Sequence, residues 1–116
     1  MSRGHAVGRA GETAAAEWYV AHGYEVLARN WRSPDGELDL VVGDGRTVVF
    51  CEVKARSSGV FGLPIEAVTP AKQARLRRLA ARWLASGAVP PARRRVVRFD
   101  VASVTRGAVE IIEGVM

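Results

Sequence analysis

Two short segments decide the fold of this chain: Gly36-Glu37-Leu38-Asp39-Leu40 and, further along, Glu52-Val53-Lys54. Polar and apolar residues alternate with a period of two around both segments, which is typical of half-buried strands. Gly43-Asp44-Gly45-Arg46 lies between them, and Asp-Gly between two strand-like runs is a strong hairpin signal. The sequence therefore predicts a hairpin that turns at Asp44-Gly45, so that Asp39 faces Phe50 and Glu37 faces Glu52.

This hairpin would carry the carboxylates of Glu37, Asp39 and Glu52 on one face. In the predicted register, Glu52 is the diagonal neighbour of Asp39, roughly 7–8 Å away. Like charges across a ladder destabilise a sheet, whereas Mg²⁺ binds carboxylate oxygens together with water and substrate phosphate. The crowding indicates a divalent-metal site. The alternative is an ordinary solvent-facing hairpin with alternating acids and one ion pair.

Lys54 projects from the same predicted face as Glu52. The chain has fifteen arginines and two lysines, so a lysine beside these acids is an unusual choice. A lysine ammonium is a compact charge whose pKa shifts readily when it is desolvated, whereas arginine cannot serve as a base. Lys54 could therefore orient or deprotonate an attacking water, or neutralise charge that builds up on a phosphate.

Length and composition predict one domain that spans residues 1–116. A chain of this size with 48% apolar residues can bury a single core. The single Cys51 is expected to be a small core residue, and the two histidines lack the spacing of a zinc site. No apolar run reaches about eighteen residues and no signal peptide is evident, so a cytoplasmic protein without a membrane partner is expected.

Helix and strand signals alternate along the chain. Thr69 is a predicted N-cap, Pro70 the first residue of the second helix and Gly87 its exit. Asp100 interrupts an apolar run and is expected to satisfy a local hydrogen bond or to close the sheet edge, rather than to bind a metal. The other predicted elements are a helix over residues 8–22, a strand over 24–28, a loop over 29–36, a polar loop over 57–64, and strands over 96–101 and 108–112.

Basic residues dominate the second half of the chain. Residues 67–99 contain nine basic residues and no acid. This pattern is typical of a protein that binds a polyanion through its backbone phosphates, although a solvated basic face would look the same. Trp31 could stack on an unpaired base or cover the edge of the sheet. The candidate nucleic-acid-binding residues are Lys72, Arg75, Arg78, Arg82, Arg93, Arg94 and Arg95.

Four motifs, in this order, resemble the bacterial YraN-like family: Gly8-Arg9-Ala10-Gly11-Glu12, Arg29-Asn30, Gly36-Glu37-Leu38-Asp39-Leu40 and Glu52-Val53-Lys54. That family is a branch of the PD-(D/E)XK restriction-endonuclease-like superfamily and is similar to archaeal Holliday junction resolvases. The resemblance covers roughly residues 6–112. One departure is that Leu38, rather than proline, precedes Asp39.

The resemblance implies an α/β fold with an αβββαβ core, in which helices flank a mixed central sheet. It implies a nuclease that uses Mg²⁺ or Mn²⁺ to hydrolyse nucleic acid, with DNA the expected partner and branched or repair intermediates as candidate substrates. Asp39 and Glu52 would bind the metal, Lys54 would be the catalytic lysine, and Glu12 would approach the same metal, although a helix N-terminus alone also favours an acid there. Glu37 is a further candidate ligand.

Two alternatives stay open at this point. The chain could be a non-catalytic nucleic-acid-binding or adaptor module on a nuclease-like fold. It could also be a metal-dependent hydrolase of another phosphodiester, although no glycine-rich phosphate loop supports this. Junction cutting would favour a symmetric homodimer, because two matched strands must be cut.

Overall fold

The fold is a mixed sheet with a helix on each face. The computed structural model describes residues 3–56, 69–90 and 96–116. The strands of these residues form one five-stranded sheet in the order β1-β2-β3-β4-β5, in which β3 and β4 are parallel and the other neighbours antiparallel. This arrangement confirms the predicted α/β class. The elements are α1 (Arg3–Ala21), β1 (Glu25–Ser33), β2 (Gly36–Gly43), β3 (Thr47–Arg56), α2 (Pro70–Ala85), β4 (Val96–Thr105) and β5 (Ala108–Ile112).

Each face of the sheet packs against one helix. On one face, Ala15 and Tyr19 of α1 are buried against Leu40 and Cys51 of the central strands. On the other face, buried residues of α2 pack against Val41 and Phe50. Neighbouring residues of a strand point to opposite faces, so β2 and β3 supply side chains to both cores. The buried residues of α2 are Leu76, Leu79, Ala80 and Trp83.

The predicted boundaries of α2 are confirmed. The Thr69 hydroxyl accepts a hydrogen bond from the Lys72 backbone N–H at 3.2 Å, and Pro70 is the first helical residue. Gly87 follows the end of the helix with φ +82°, a left-handed conformation that glycine adopts without strain. Helix α1 begins at Arg3 rather than at residue 8, and Gly23 marks its predicted exit with φ +90°.

Strand β1 is longer than predicted. It runs through residues 29–33, which were expected to be a loop, and turns tightly into β2 so that Ser33 pairs with Gly36. The sequence is polar there because β1 is an edge strand with much of its surface exposed. Trp31 packs against the α2-side core, which agrees with its interpretation as a cover for the sheet edge.

The β2–β3 hairpin turns one residue later than predicted. Val41, not Asp39, pairs with Phe50, and the residues at the centre of the turn are Gly45 and Arg46, with Gly45 at φ +93°. The Asp44 carboxylate accepts hydrogen bonds from the Arg46 N–H at 2.9 Å and the Thr47 N–H at 2.8 Å, which fixes this turn. The predicted pairing was wrong because Asp44 supplies these acceptors instead of occupying the centre of the turn.

A buried carboxylate ties α1 to β4 and to the C-terminal segment. Asp100 is 2% exposed and accepts hydrogen bonds from the Tyr19 hydroxyl at 2.6 Å, from Arg98 at 2.9 and 3.0 Å, and from the Gly114 N–H at 3.1 Å. These bonds confirm the prediction that Asp100 satisfies hydrogen bonds. Within the described ranges, no helix is both long and apolar enough to cross a membrane.

Candidate metal centre

Asp39 occupies the place where the paired part of β2 and β3 ends. The regular register stops at the pair of Leu40 with Cys51, so Asp39 lies one residue beyond the last paired position of β2. Here the Asp39 carboxylate accepts a hydrogen bond from the Val53 backbone N–H at 2.9 Å. This bond holds the side chain against β3.

Three acidic side chains converge at this point. Glu12 of α1 and both Glu37 and Asp39 of β2 each offer an oxygen, and these oxygens all lie within 4.8 Å of one another. Glu52 lines the adjoining pocket with Glu37 and Asp39, and Arg75 and Leu76 of α2 close its other side. The volume of the pocket is about 270 Å³. The structure therefore brings together all four carboxylates that the sequence nominated as metal ligands.

Burial and repulsion between the acidic side chains raise the pKa of Asp39. Desolvation raises the pKa of Asp39 to about 6, and the negative charges of Glu52, Glu12 and Glu37 add to this rise, while the hydrogen bond from Val53 opposes it. Without a counter-charge, the site thus resists ionisation of its central carboxylate.

Two carboxylate oxygens of the site are buried without a partner. Glu12 Oε2 and Glu52 Oε2 are shielded from solvent and have no hydrogen-bond partner among the described residues. A buried polar atom without a partner costs free energy, and such an atom in a folded protein calls for an explanation such as a bound ion. Hard divalent cations take ligand sets made of carboxylate oxygens, so these residues fit one.

Glu37 and Lys54 have distinct surroundings. Glu37 Oε2 lies 3.3 Å from Nε of Arg32, a side chain that is 82% exposed. This ion pair could not be predicted from the sequence, because Arg32 lay in the segment expected to be a loop. Lys54 is half-buried on β3, two residues beyond Glu52, and therefore shares the face of Glu52 by strand alternation.

The basic residues nominated from the sequence divide into three groups. Arg75 lines the acidic pocket. Lys72 is half-buried, Arg78 is exposed, and Arg82 forms an ion pair with Asp35 at 2.6 Å. The run of residues 93–95, with Arg93, Arg94 and Arg95, lies outside the described residues, as does the polar loop over 57–64.

Sequence reasoning overlooked the role of Gly11. A Cβ atom at this position would collide with Cβ of Ala55 on β3, so the glycine lets α1 approach the strand closely. Gly11 immediately precedes Glu12, and the close approach therefore fixes where Glu12 enters the site. A glycine inside a helical pattern was the available signal.

The fold and the site define the class of this chain: an α/β protein with a mixed sheet, two flanking helices and an acidic pocket beside the central strands. A family model described as "Uncharacterised protein family UPF0102" matches residues 11–104. The chain belongs to this family, which confirms the resemblance to YraN-like proteins.

Relatives agree with the family assignment over most of their length. A UPF0102 protein of Beutenbergia cavernae is 60% identical over 101 residues, which cover 87% of this chain and 83% of the relative. A UPF0102 protein of Parafrankia sp. is 54% identical over 100 residues, covering 86% and 82%. A third, from Symbiobacterium thermophilum, is 52% identical over 102 residues, covering 87% and 83%.

Proposed function

We propose that this protein is a divalent-metal-dependent nuclease of the PD-(D/E)XK, resolvase-like type. The observation that carries the proposal is the pair of buried, unpartnered oxygens on Glu12 and Glu52, which flank an Asp39 whose pKa is raised to about 6. Without a cation, the carboxyl groups of such a pocket resist full ionisation. A bound cation would neutralise their charge, so that all of them could ionise.

Each residue of the site has a role in this reaction. Asp39, Glu52 and Glu12 would hold the cation, Mg²⁺ or Mn²⁺, and Glu37 would be an additional ligand on leaving Arg32. The bound cation supplies Lewis-acid polarisation of the phosphate and a lower pKa for an attacking water. The Lys54 ammonium, on the same face as Glu52, orients that water or neutralises the charge that develops on the phosphate.

Positive charge around the pocket supports a nucleic-acid substrate. The chain carries a net charge of +5, and Arg75 reaches the mouth of the acidic pocket from α2. Lys72 and Arg78 extend the basic surface along the same helix, where they would contact backbone phosphates rather than bases. DNA in the cytoplasm, including branched or repair intermediates cut by a homodimer, is the substrate that we propose.

The test is a cleavage panel with purified protein. Single-stranded, duplex, flapped and four-way-junction DNA and a structured RNA are incubated with Mg²⁺, with Mn²⁺ or with EDTA. We expect metal-dependent cleavage that Glu52→Gln and Lys54→Ala abolish. The matched control is Glu110→Gln, which removes one exposed carboxylate from β5 and should leave cleavage unchanged.

Two results would count against this function. Cleavage that Glu52→Gln retains would point to a contaminating nuclease. Tight, salt-sensitive binding of nucleic acid, without cleavage by the wild-type protein under any of the metal conditions, would instead favour the non-catalytic binding module.

A further inference from the structure

A second pocket is lined by residues of α1, β3, β4 and the β4–β5 turn. Its volume is about 260 Å³. The floor is made of small and apolar residues from α1, β3 and β4, and two arginines, Arg56 and Arg106, contribute to the lining. The remaining lining residues are Ala10, Gly11, Ala55, Val104 and Gly107. We refer to it as the arginine pocket.

The arginine pocket and the carboxylate cluster share the same two elements. Gly11 lines the arginine pocket, and the next residue on α1, Glu12, belongs to the carboxylate cluster. On β3, Ala55 of the arginine pocket follows Lys54 directly and lies about 10 Å along the strand from Glu52. A polymer that crosses the acidic pocket can therefore reach the arginine pocket within one or two of its repeating units.

The two arginines come from distant parts of the chain. The parallel pairing of β3 with β4 places Arg56 beside Thr105, and Arg106 follows Thr105 at the β4–β5 turn. Both guanidinium groups are therefore carried at the same end of the sheet.

Arg106 occupies a backbone conformation that disfavours arginine. The β4–β5 hairpin turns through Arg106 at φ +51° and Gly107 at φ +80°. Tight hairpins with positive φ at both central residues prefer Asn, Asp or Gly at the first of them. A non-glycine residue in this conformation is strained, and such strain concentrates at functional sites. At this position of the turn, a short polar residue would be less strained than arginine.

We propose that the arginine pocket binds a nucleic-acid strand next to the site of cleavage. Arg56 and Arg106 contact backbone phosphates, and the sugars lie against the apolar floor. Arginine is well suited to phosphate because its planar fork donates paired hydrogen bonds. A small free anion would gain nothing from the apolar floor, whereas a nucleic acid alternates phosphates with less polar sugars. This inference rests on the proposed function, since it extends the substrate-binding surface of that same site.

The variant Arg106→Asn tests this proposal. Asparagine suits the left-handed turn better than arginine does, and a melting curve of the variant checks that the fold is retained. The matched control is Arg46→Asn, which removes the same charge from the β2–β3 turn, roughly 33 Å away at the other end of β3. A second variant, Arg56→Gln, tests the other side of the pocket.

Binding is measured by fluorescence anisotropy with a labelled 20-nucleotide single strand and the matching duplex, in EDTA, over a series of salt concentrations. One lost phosphate contact should weaken binding about five- to eightfold at 0.1 M salt and reduce the slope of log K against log salt by about 0.7–0.9. We expect this loss in Arg106→Asn and Arg56→Gln and a smaller effect in Arg46→Asn.

The outcomes separate this inference from the function on which it rests. If the wild type binds tightly and the pocket variants match Arg46→Asn in affinity and slope, the arginine pocket does not bind nucleic acid. The proposed nuclease function is unaffected by that result. Wild-type protein that binds no nucleic acid overturns both. Because the assay contains no metal, absence of cleavage has no bearing on its result.

Discussion

Replacing Gly11 with alanine should loosen the attachment of α1 and displace Glu12. The added Cβ would collide with Cβ of Ala55, and it would also lie 3.5 Å from Cα of Ala55 and 3.7 Å from Cβ of Val104. Cβ of Ala55 is fixed to the backbone and cannot rotate away, so the helix or the strand must move. Such overpacking costs about 1–3 kcal/mol. Alanine in place of a helical glycine returns about 0.5–1 kcal/mol. The expected net loss of unfolding free energy is therefore about 0–2.5 kcal/mol.

Gly8→Ala is the matched control for this substitution. Gly8 lies on the same helix, and a Cβ there would meet nothing within 4 Å. It should stabilise the protein by up to about 0.5–1 kcal/mol through helix propensity alone. Urea denaturation of both variants measures the difference, and Mn²⁺ titration should show weakened binding in Gly11→Ala. If Gly11→Ala is as stable as Gly8→Ala and binds the metal normally, the close approach does not position Glu12.

Further predictions concern three buried groups. The folded pKa of Asp39, about 6, lies above its ordinary value of 3.8, so ionisation of Asp39 destabilises the metal-free fold as the pH rises through this interval. Asp39→Asn should therefore raise the unfolding free energy at pH 7 by about 1–3 kcal/mol in EDTA, and urea titrations at pH 7 and pH 4 should show this gain disappear at the lower pH. Tyr19→Phe removes a donor to the buried Asp100 and should cost about 1–3 kcal/mol by the same assay, with an unchanged stability ruling out a contribution from this bond. Burial raises the pKa of the Cys51 thiol to about 12, so a disulfide reagent should react with it at pH 8 only after unfolding, and rapid reaction of the native protein would contradict its burial.

Elements whose signals are local could be predicted from the sequence. Thr69, Pro70 and Gly87 define α2 because a cap, a first-turn proline and a left-handed exit each act through neighbouring residues. The extension of β1 could not be predicted in this way. Its polar residues 29–33 form a strand because β2 offers backbone partners, and this long-range pairing overrides their local preference.

The carboxylates of the site could be nominated, but their arrangement could not be derived. Strand alternation selected Asp39 and Glu52, whereas the register between their strands depends on the Asp44 side chain, which shifts the turn by one residue. Glu12 was implied by the family resemblance alone, because no local pattern connects a helix residue with a distant hairpin. The proximity of Arg56 and Arg106 could not be predicted for the same reason, because the parallel pairing of β3 with β4 brings together residues that are far apart in sequence.

The measurement that tests the central claim most directly is a calorimetric titration of the metal-free protein with Mn²⁺ near neutral pH. The proteins compared are the wild type, the double variant Asp39→Ala/Glu52→Ala, and the control Glu17→Ala/Glu110→Ala, which removes two exposed carboxylates. Because the acidic pocket is the proposed ligand set, saturable binding should occur in the wild type and the control and vanish in the double variant. Binding that survives in the double variant, or no binding by the wild type, would contradict the metal centre.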